Sequence, residues 1–194
     1  MALLPAAYHP PTRAHEALLR AALERCGAAI AVLPRAFPHK EYGEVSLEAR
    51  LELLRPLLGG GIAPAVSEGG LFLEMVREAR VLFPMAEVSV VCGRDAAERI
   101  VSWPYEGLPP MTEQLREYRM LVAARQGEFE APRELAHGID VLTLAGEFDE
   151  VSSTLVRERM RAGQPWEHLV PEASVEAVRR VYSPLLFSRN ARNL

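Results

Sequence analysis

Short apolar runs alternate with amphipathic helical segments along almost the whole chain, and this alternation limits the fold more than any other feature. Ala2–Ala7 is a short apolar run broken at Pro5, and residues 13–26 follow with Leu18 and the alanines at helical spacing. Gly27 is placed to cap that helix. Ala28–Leu33 is then continuously apolar, as expected of a strand buried on both faces. The pattern repeats with a helix capped by Ser46 and running to about Leu58, a short strand at Ile62–Val66, and a helix over 71–83 stopped by Pro84. Glu87–Cys92 reads as a strand followed by a helix start. Pro104, Pro109 and Pro110 mark an irregular connection. Met120–Ala124 and Ile139–Leu144 read as strands, Ser152 or Ser153 opens a helix to about Ala162, and a last helix covers Val175–Tyr182.

Such a pattern predicts an α/β fold, Rossmann-like and doubly wound, with a mainly parallel sheet carrying helices on both faces. It predicts one domain over 1–194, in which residues 152–194 form a C-terminal helical part. Ligands of such sheets sit beyond the carboxyl ends of the strands, where strand order reverses. The loops after residues 7, 33, 92 and 144 are therefore expected to line the site.

Bulk properties narrow the function class. The chain has 194 residues, 49% hydrophobic and 25% charged, with a net charge of −4. It lacks the basic footprint of a general nucleic-acid binder, although net charge leaves a local basic cleft open. No apolar run reaches the ~18 residues of a membrane span, and the N-terminus does not read as a signal peptide. Cys26 and Cys92 match neither a zinc pattern nor a C-x-x-C pair and read as reduced thiols. The expectation is a cytoplasmic protein with small-molecule partners, no nucleic acid and no membrane; a homo-oligomer is left open. Of the 22 basic residues, only Lys40 is a lysine, which singles it out as a position where an ammonium is wanted.

Three constellations could carry chemistry. In Tyr8-His9-Pro10-Pro11-Thr12-Arg13-Ala14-His15, a hydroxyl and an imidazole lie three apart at a helix start, where free N–H groups favour a phosphate. The same residues also describe a plain turn, with Thr12 as cap and His15 on the surface. In Val151-Ser152-Ser153-Thr154-Leu155-Val156-Arg157, three hydroxyls open a helix and a guanidinium follows one turn on. That is either an anion site or an ordinary serine cap. Pro38-His39-Lys40 lies in the loop after the second strand.

Together these segments resemble the class I nucleotidyltransferases, whose paired signature is an H/T-x-x-H turn near the N-terminus and S-S-T-x-x-R near the C-terminus. The branch most similar is the nicotinate/nicotinamide mononucleotide adenylyltransferases. Pro38-His39-Lys40 with Arg50-Leu51-Glu52-Leu53-Leu54, Val91-Cys92-Gly93-Arg94-Asp95 with Trp103, and Leu169-Val170-Pro171 match further segments of that branch, in order over nearly the whole chain. The chain departs from the pattern at Ala6, His9 and Ala14.

The resemblance implies transfer of AMP from ATP to a small phosphate acceptor, nicotinate or nicotinamide mononucleotide, giving a dinucleotide and pyrophosphate, with Mg²⁺ accompanying ATP. It implies catalytic roles for Thr12, His15, Lys40 and Arg157. It also implies nucleotide contacts from Ala7, Tyr8, His9, Gly93, Asp95, Ser152, Ser153 and Thr154, and acceptor contacts from Phe72 and Trp103. No residue is expected to ligate a metal by itself. Two alternatives stay open: the same chemistry on another acceptor (a phosphopantetheine or a polyol phosphate, with CTP as a further donor), and a silent nucleotide-binding relative.

Overall fold

The structure is a computed structural model that describes residues 1–36, 45–123, 129–144, 148 and 150–190. Six parallel strands form one sheet: β1 (Ala2–Pro5), β2 (Ala29–Pro34), β3 (Ile62–Ser67), β4 (Ser89–Gly93), β5 (Arg119–Ala123) and β6 (Ile139–Leu142). Their spatial order is β3-β2-β1-β4-β5-β6, so the order reverses between β1 and β4. Leu3 of β1 pairs with Ile30 of β2 on one side and Val90 of β4 on the other. The helices are α1 (Arg13–Cys26), α2 (Leu47–Leu54), α3 (Phe72–Leu82), α4 (Arg94–Val101), α5 (Met111–Gln114), α6 (Ser153–Arg161) and α7 (Val175–Asn190).

Strand alternation sorts the core into two layers. Ala2 and Leu4, Ala29, Ala31 and Leu33, Val91, Leu121 and Ala123 share one face with Leu18, Leu19 and Ala22 of α1. Leu3, Val32, Val90, Cys92, Met120 and Val122 share the other with Leu73 and Val76 of α3 and Ala97 of α4. Both faces are therefore covered, which is why the central strands read as unbroken apolar runs. A third cluster joins Val45 and Leu53 to Val156 and Met160 of α6 and Val178 and Tyr182 of α7.

Local chemistry accounts for the element ends. Thr12 caps α1, and Gly27 closes it in the left-handed region at φ 76°, its N–H donating to the Leu23 carbonyl at 2.8 Å. The strand holding Pro64 lies at the sheet edge, where a missing N–H is tolerated.

Some boundaries differ from the sequence expectation. The helix after Ser46 stops at Leu54 and tightens into a 3₁₀ turn over Arg55–Leu57, because Pro56 withholds an N–H. The last helix runs past Tyr182 to Asn190 with Pro184 inside it. Packing of Tyr182 and Leu185 against the third cluster outweighs the lost backbone bond. Among the described residues, no helix is long and apolar enough to cross a membrane.

Candidate functional site

A cavity of about 380 Å³ opens at the reversal between β1 and β4. Its walls come from the loop after β1, the starts of α1, α3, α4 and α6, and the segment after α4. Of the residues singled out from sequence, Ala7, Tyr8, His9, His15, Phe72, Gly93, Asp95, Trp103, Ser153, Thr154 and Arg157 line it. Residues from four chain segments, up to 150 positions apart, thus meet at one place.

Thr12 and Ser152 are placed differently. Thr12 is fully buried as the N-cap of α1 and is absent from the cavity wall. Ser152 accepts the Leu155 N–H at 3.1 Å as the N-cap of α6. For both, the turn-and-cap reading describes the geometry, because an orphan N–H at a helix start takes the nearest side-chain oxygen. Lys40 lies outside the described residues, as does most of the loop after β2.

His15 shows why the cap matters. Thr12 and His15 form a capping box: the Thr12 N–H donates to His15 Nδ1 at 3.0 Å, and the Thr12 hydroxyl lies 2.8 Å from that nitrogen. A ring nitrogen that accepts carries no proton, so neutral His15 holds its proton on Nε2. The ring packs on Tyr8 at a centroid distance of 5.0 Å. Tyr8 is itself fully buried, its hydroxyl donating to the Leu4 carbonyl at 2.8 Å. Its backbone is left-handed at φ 47°, the one non-glycine in that region among the described residues. Ala6, where the resemblance leads one to expect glycine, is not in that region, so its methyl costs no backbone strain there. Ala14 is fully buried and packs without exposing its methyl.

The start of α6 is fastened to the loop after β1. Ser153 Oγ donates to the Pro10 carbonyl at 2.7 Å, and Arg157 Nη1 to the His9 carbonyl at 2.5 Å. Arg157 Nη2 also reaches Thr154 Oγ1 at 3.2 Å. The His9 ring stacks on Tyr182 of α7 at 5.6 Å. Burial lowers the Arg157 pKa from its ordinary value, but a guanidinium stays charged at neutral pH.

Across the switch point the wall changes character. Glu74 of α3 accepts the N–H groups of Gly70 and Leu71, each at 2.9 Å, and so sets the turn that presents Phe72. Gly69 must be glycine here, since a Cβ would fall 2.5 Å from Glu74 Cβ. From α4 and the segment after it come Arg94, quoted from sequence only as part of the Val91–Asp95 segment, and Arg99, Ile100 and Tyr105, none of them singled out from sequence. Their spacing from Asp95 to Trp103 follows one helix face, a signal legible only once the face turned to the cavity is known. Cys92 forms part of the wall, and burial pushes its thiol up to about 12.

Three arginines and a single carboxylate, Asp95, stand among the lining residues of a chain whose net charge is −4. The cleft is therefore locally cationic, with backbone N–H groups at the start of α6 and the Thr154 hydroxyl as further donors, an arrangement suited to a phosphorylated ligand. Fold and site define a nucleotide-binding α/β protein of the doubly wound type.

No protein-family model matches the chain. It is similar to a "Probable nicotinate-nucleotide adenylyltransferase" of Gloeobacter violaceus, 28% identical over 190 residues covering 89% of this chain and 90% of the relative. The counterpart of the same description from Maridesulfovibrio salexigens is 29% identical over 195 residues, 88% of this chain and 90% of the relative. Among solved structures, the Plasmodium falciparum nicotinic acid mononucleotide adenylyltransferase complexed with NaAD superimposes with a TM-score of 0.72 at 13% identity, over 93% of this chain and 95% of that one. The chain is thus similar over nearly its whole length to nicotinate-nucleotide adenylyltransferases, and it shares the fold of their solved structures.

Proposed function

We propose that the chain transfers AMP from ATP to nicotinate mononucleotide, releasing pyrophosphate. The observation that carries this reading is the cationic cavity at the β1/β4 reversal, where His15, Ser153, Thr154 and Arg157 face one volume with Phe72 and Trp103. The two relatives matched over most of their length support the acceptor.

In this reading, the β and γ phosphates of ATP lie at the start of α6, taking the backbone N–H groups of Ser153 and Thr154, the Thr154 hydroxyl and the Arg157 guanidinium as donors, while the Ser153 hydroxyl stays on the Pro10 carbonyl. The α-phosphate lies against His15, whose Nε2–H donates to the oxygen that gains charge as the bond order changes. An oxygen of the acceptor's phosphate attacks the α-phosphorus in line, and the bond to the β-phosphate oxygen breaks. The nucleophile is already an anion, so the protein need not remove a proton. Its residues position and stabilise charge, and the capping box holds His15 in one orientation for that task.

Mg²⁺ fits as a companion of the nucleotide. Among the described residues no three His, Cys, Asp or Glu side chains converge on a point. The cavity's donors suit phosphate oxygens, and magnesium is commonly held by such oxygens and water with few protein carboxylates. When bound, it neutralises triphosphate charge; Asp95 is the carboxylate on the wall that could contact its shell. The compartment we assign is the cytoplasm, in keeping with two free thiols.

The test is pyrophosphate release with ATP and Mg²⁺ over a panel of nicotinate mononucleotide, nicotinamide mononucleotide, phosphopantetheine and polyol phosphates. Turnover with nicotinate mononucleotide is expected. Turnover confined to a non-pyridine acceptor, or nucleotide binding with no turnover at all, would sink the assignment.

A further inference from the structure

Two cations on the cavity wall, Arg94 and Arg99, are not used by the chemistry above. α4 directs Asp95, Ala96, Arg99 and Ile100 to the cavity at helical spacing, and the turn that follows adds Trp103, its N–H bonded to the Ile100 carbonyl at 3.3 Å. The helix carries two arginines. Arg94 is tied to Glu98 at 2.6 Å, one turn along the helix. Arg99 is exposed into the cavity, and among the described residues its side chain makes no hydrogen bond or ion pair. The same cavity is lined by Phe72, Ile100, Trp103 and Tyr105, and the Tyr105 hydroxyl is turned away to the Ile100 carbonyl at 3.2 Å.

An aromatic and aliphatic wall with one uncommitted guanidinium suits a flat ring that carries an anionic substituent. The ring lies against the aromatic side chains, and the planar fork of Arg99 meets two carboxylate oxygens. The acceptor's phosphate is a poor partner for Arg99, because in-line attack requires it beside the α-phosphate at His15, on the other side of the switch point.

We propose that Arg99 reads the carboxylate of the acceptor's ring and so makes this enzyme select a nicotinate acceptor over a nicotinamide one. The proposal rests on the function proposed above. A neutral carboxamide gains no charged pair with Arg99. A charged hydrogen bond of ordinary strength corresponds to about 10- to 100-fold in selectivity.

The test measures kcat/KM for nicotinate and nicotinamide mononucleotide at saturating ATP, with wild type, Arg99→Ala, Arg99→Gln and Arg99→Lys. Binding of each acceptor is measured in parallel by calorimetry. The ratio of the two acceptors is expected to fall about 10- to 100-fold in Arg99→Ala and Arg99→Gln, mostly through KM. Arg99→Lys should recover part of it, and the KM for ATP should stay put. Equal losses on both acceptors would assign Arg99 to the shared phosphate or to the fold and overturn the proposal, as would an unchanged ratio. A wild type active on nicotinate mononucleotide whose selectivity survives Arg99→Ala removes this proposal alone. A wild type that turns over neither pyridine acceptor removes the function proposed above and this inference with it.

Discussion

The two ends of the cavity are built on different plans. At the α1/α6 end the polar groups are bound to each other before any ligand arrives: Thr12 with His15, Ser153 with Pro10, Arg157 with His9 and Thr154. At the α3/α4 end the wall is aromatic and aliphatic, its turn is set by Glu74, and Arg99 stands uncommitted. The first plan suits a ligand common to a whole enzyme class, because a triphosphate always needs the same donors in the same place. The second suits a ligand that varies, because ring size and charge can be matched by changing one or two side chains. On the proposed function, pre-organisation is concentrated where charge develops and adaptability where the acceptor is chosen.

The largest expected effect breaks the first end. His15→Ala should lower kcat by roughly 10²- to 10³-fold, as loss of one preorganised donor does elsewhere. It should also cost about 1 kcal/mol of stability, because the Thr12 N–H loses its acceptor. Pyrophosphate release and a urea melt measure the two effects separately, and a variant with near-full kcat would remove His15 from the reaction.

Next in size is Trp103→Ala at the second end. We expect the acceptor KM to rise roughly fivefold, in line with ~1 kcal/mol for one aromatic contact, with the KM for ATP unmoved. A rise in the ATP term instead would mean that the two ends are assigned the wrong way round.

Glu74→Ala sharpens the contrast further. Two N–H groups lose their shared acceptor, so stability should fall by about 1 kcal/mol, a Tm drop of about 2–4 °C for a chain of this size. The acceptor KM should rise a few-fold through the displaced Phe72. If steady-state kinetics showed no acceptor effect, the turn before α3 would be structural only.

The smallest effect concerns Cys92, in the wall between the two ends. Burial raises its pKa from 9.0 to about 12, so the native state holds the thiol's proton more tightly than the unfolded chain does. Below pH 9 both states are protonated and its contribution to stability is fully present. As pH rises from 9 towards 12 the unfolded chain ionises first, and that contribution is lost. In maleimide labelling of the native protein near neutral pH, Cys92 should lag the half-buried Cys26, and the difference should vanish in denaturant. Equal native rates would contradict the burial.

Much of the first end was legible in the sequence. Thr12 and His15, Ser152 and Leu155, and Thr154 and Arg157 all interact within three residues, so spacing alone brings them together. What spacing could not separate was a capping oxygen from a cavity-facing one. Ser152 and Thr12 serve as caps, whereas Ser153 reaches across to Pro10 and lines the cavity. The second end was barely legible. Phe72 and Trp103 stood out as aromatic residues, but Arg99, Tyr105 and Gly70 carry no local signal. Their placement depends on which face of α4 turns to the cavity and on the reach of Glu74 back to the preceding turn.

The alternation of apolar runs and amphipathic helices determined an α/β fold with a parallel sheet, because runs buried on both faces leave few other arrangements. The paired helix starts made an anion site one of two open readings beside plain capping, because backbone N–H groups at those ends have no partner in their own helix. Only the tertiary structure decided the strand order, and with it the reversal between β1 and β4 that brings residues 6–15, 70–72, 92–105 and 153–157 to one cavity. Only the tertiary structure decided that Pro184 lies within a continuing helix, where packing exceeds a local penalty. The physical reason is the same in each case. Hydrogen bonds at a helix end are settled by neighbours a few residues away, whereas the shape of a cleft is settled by which distant surfaces exclude water together.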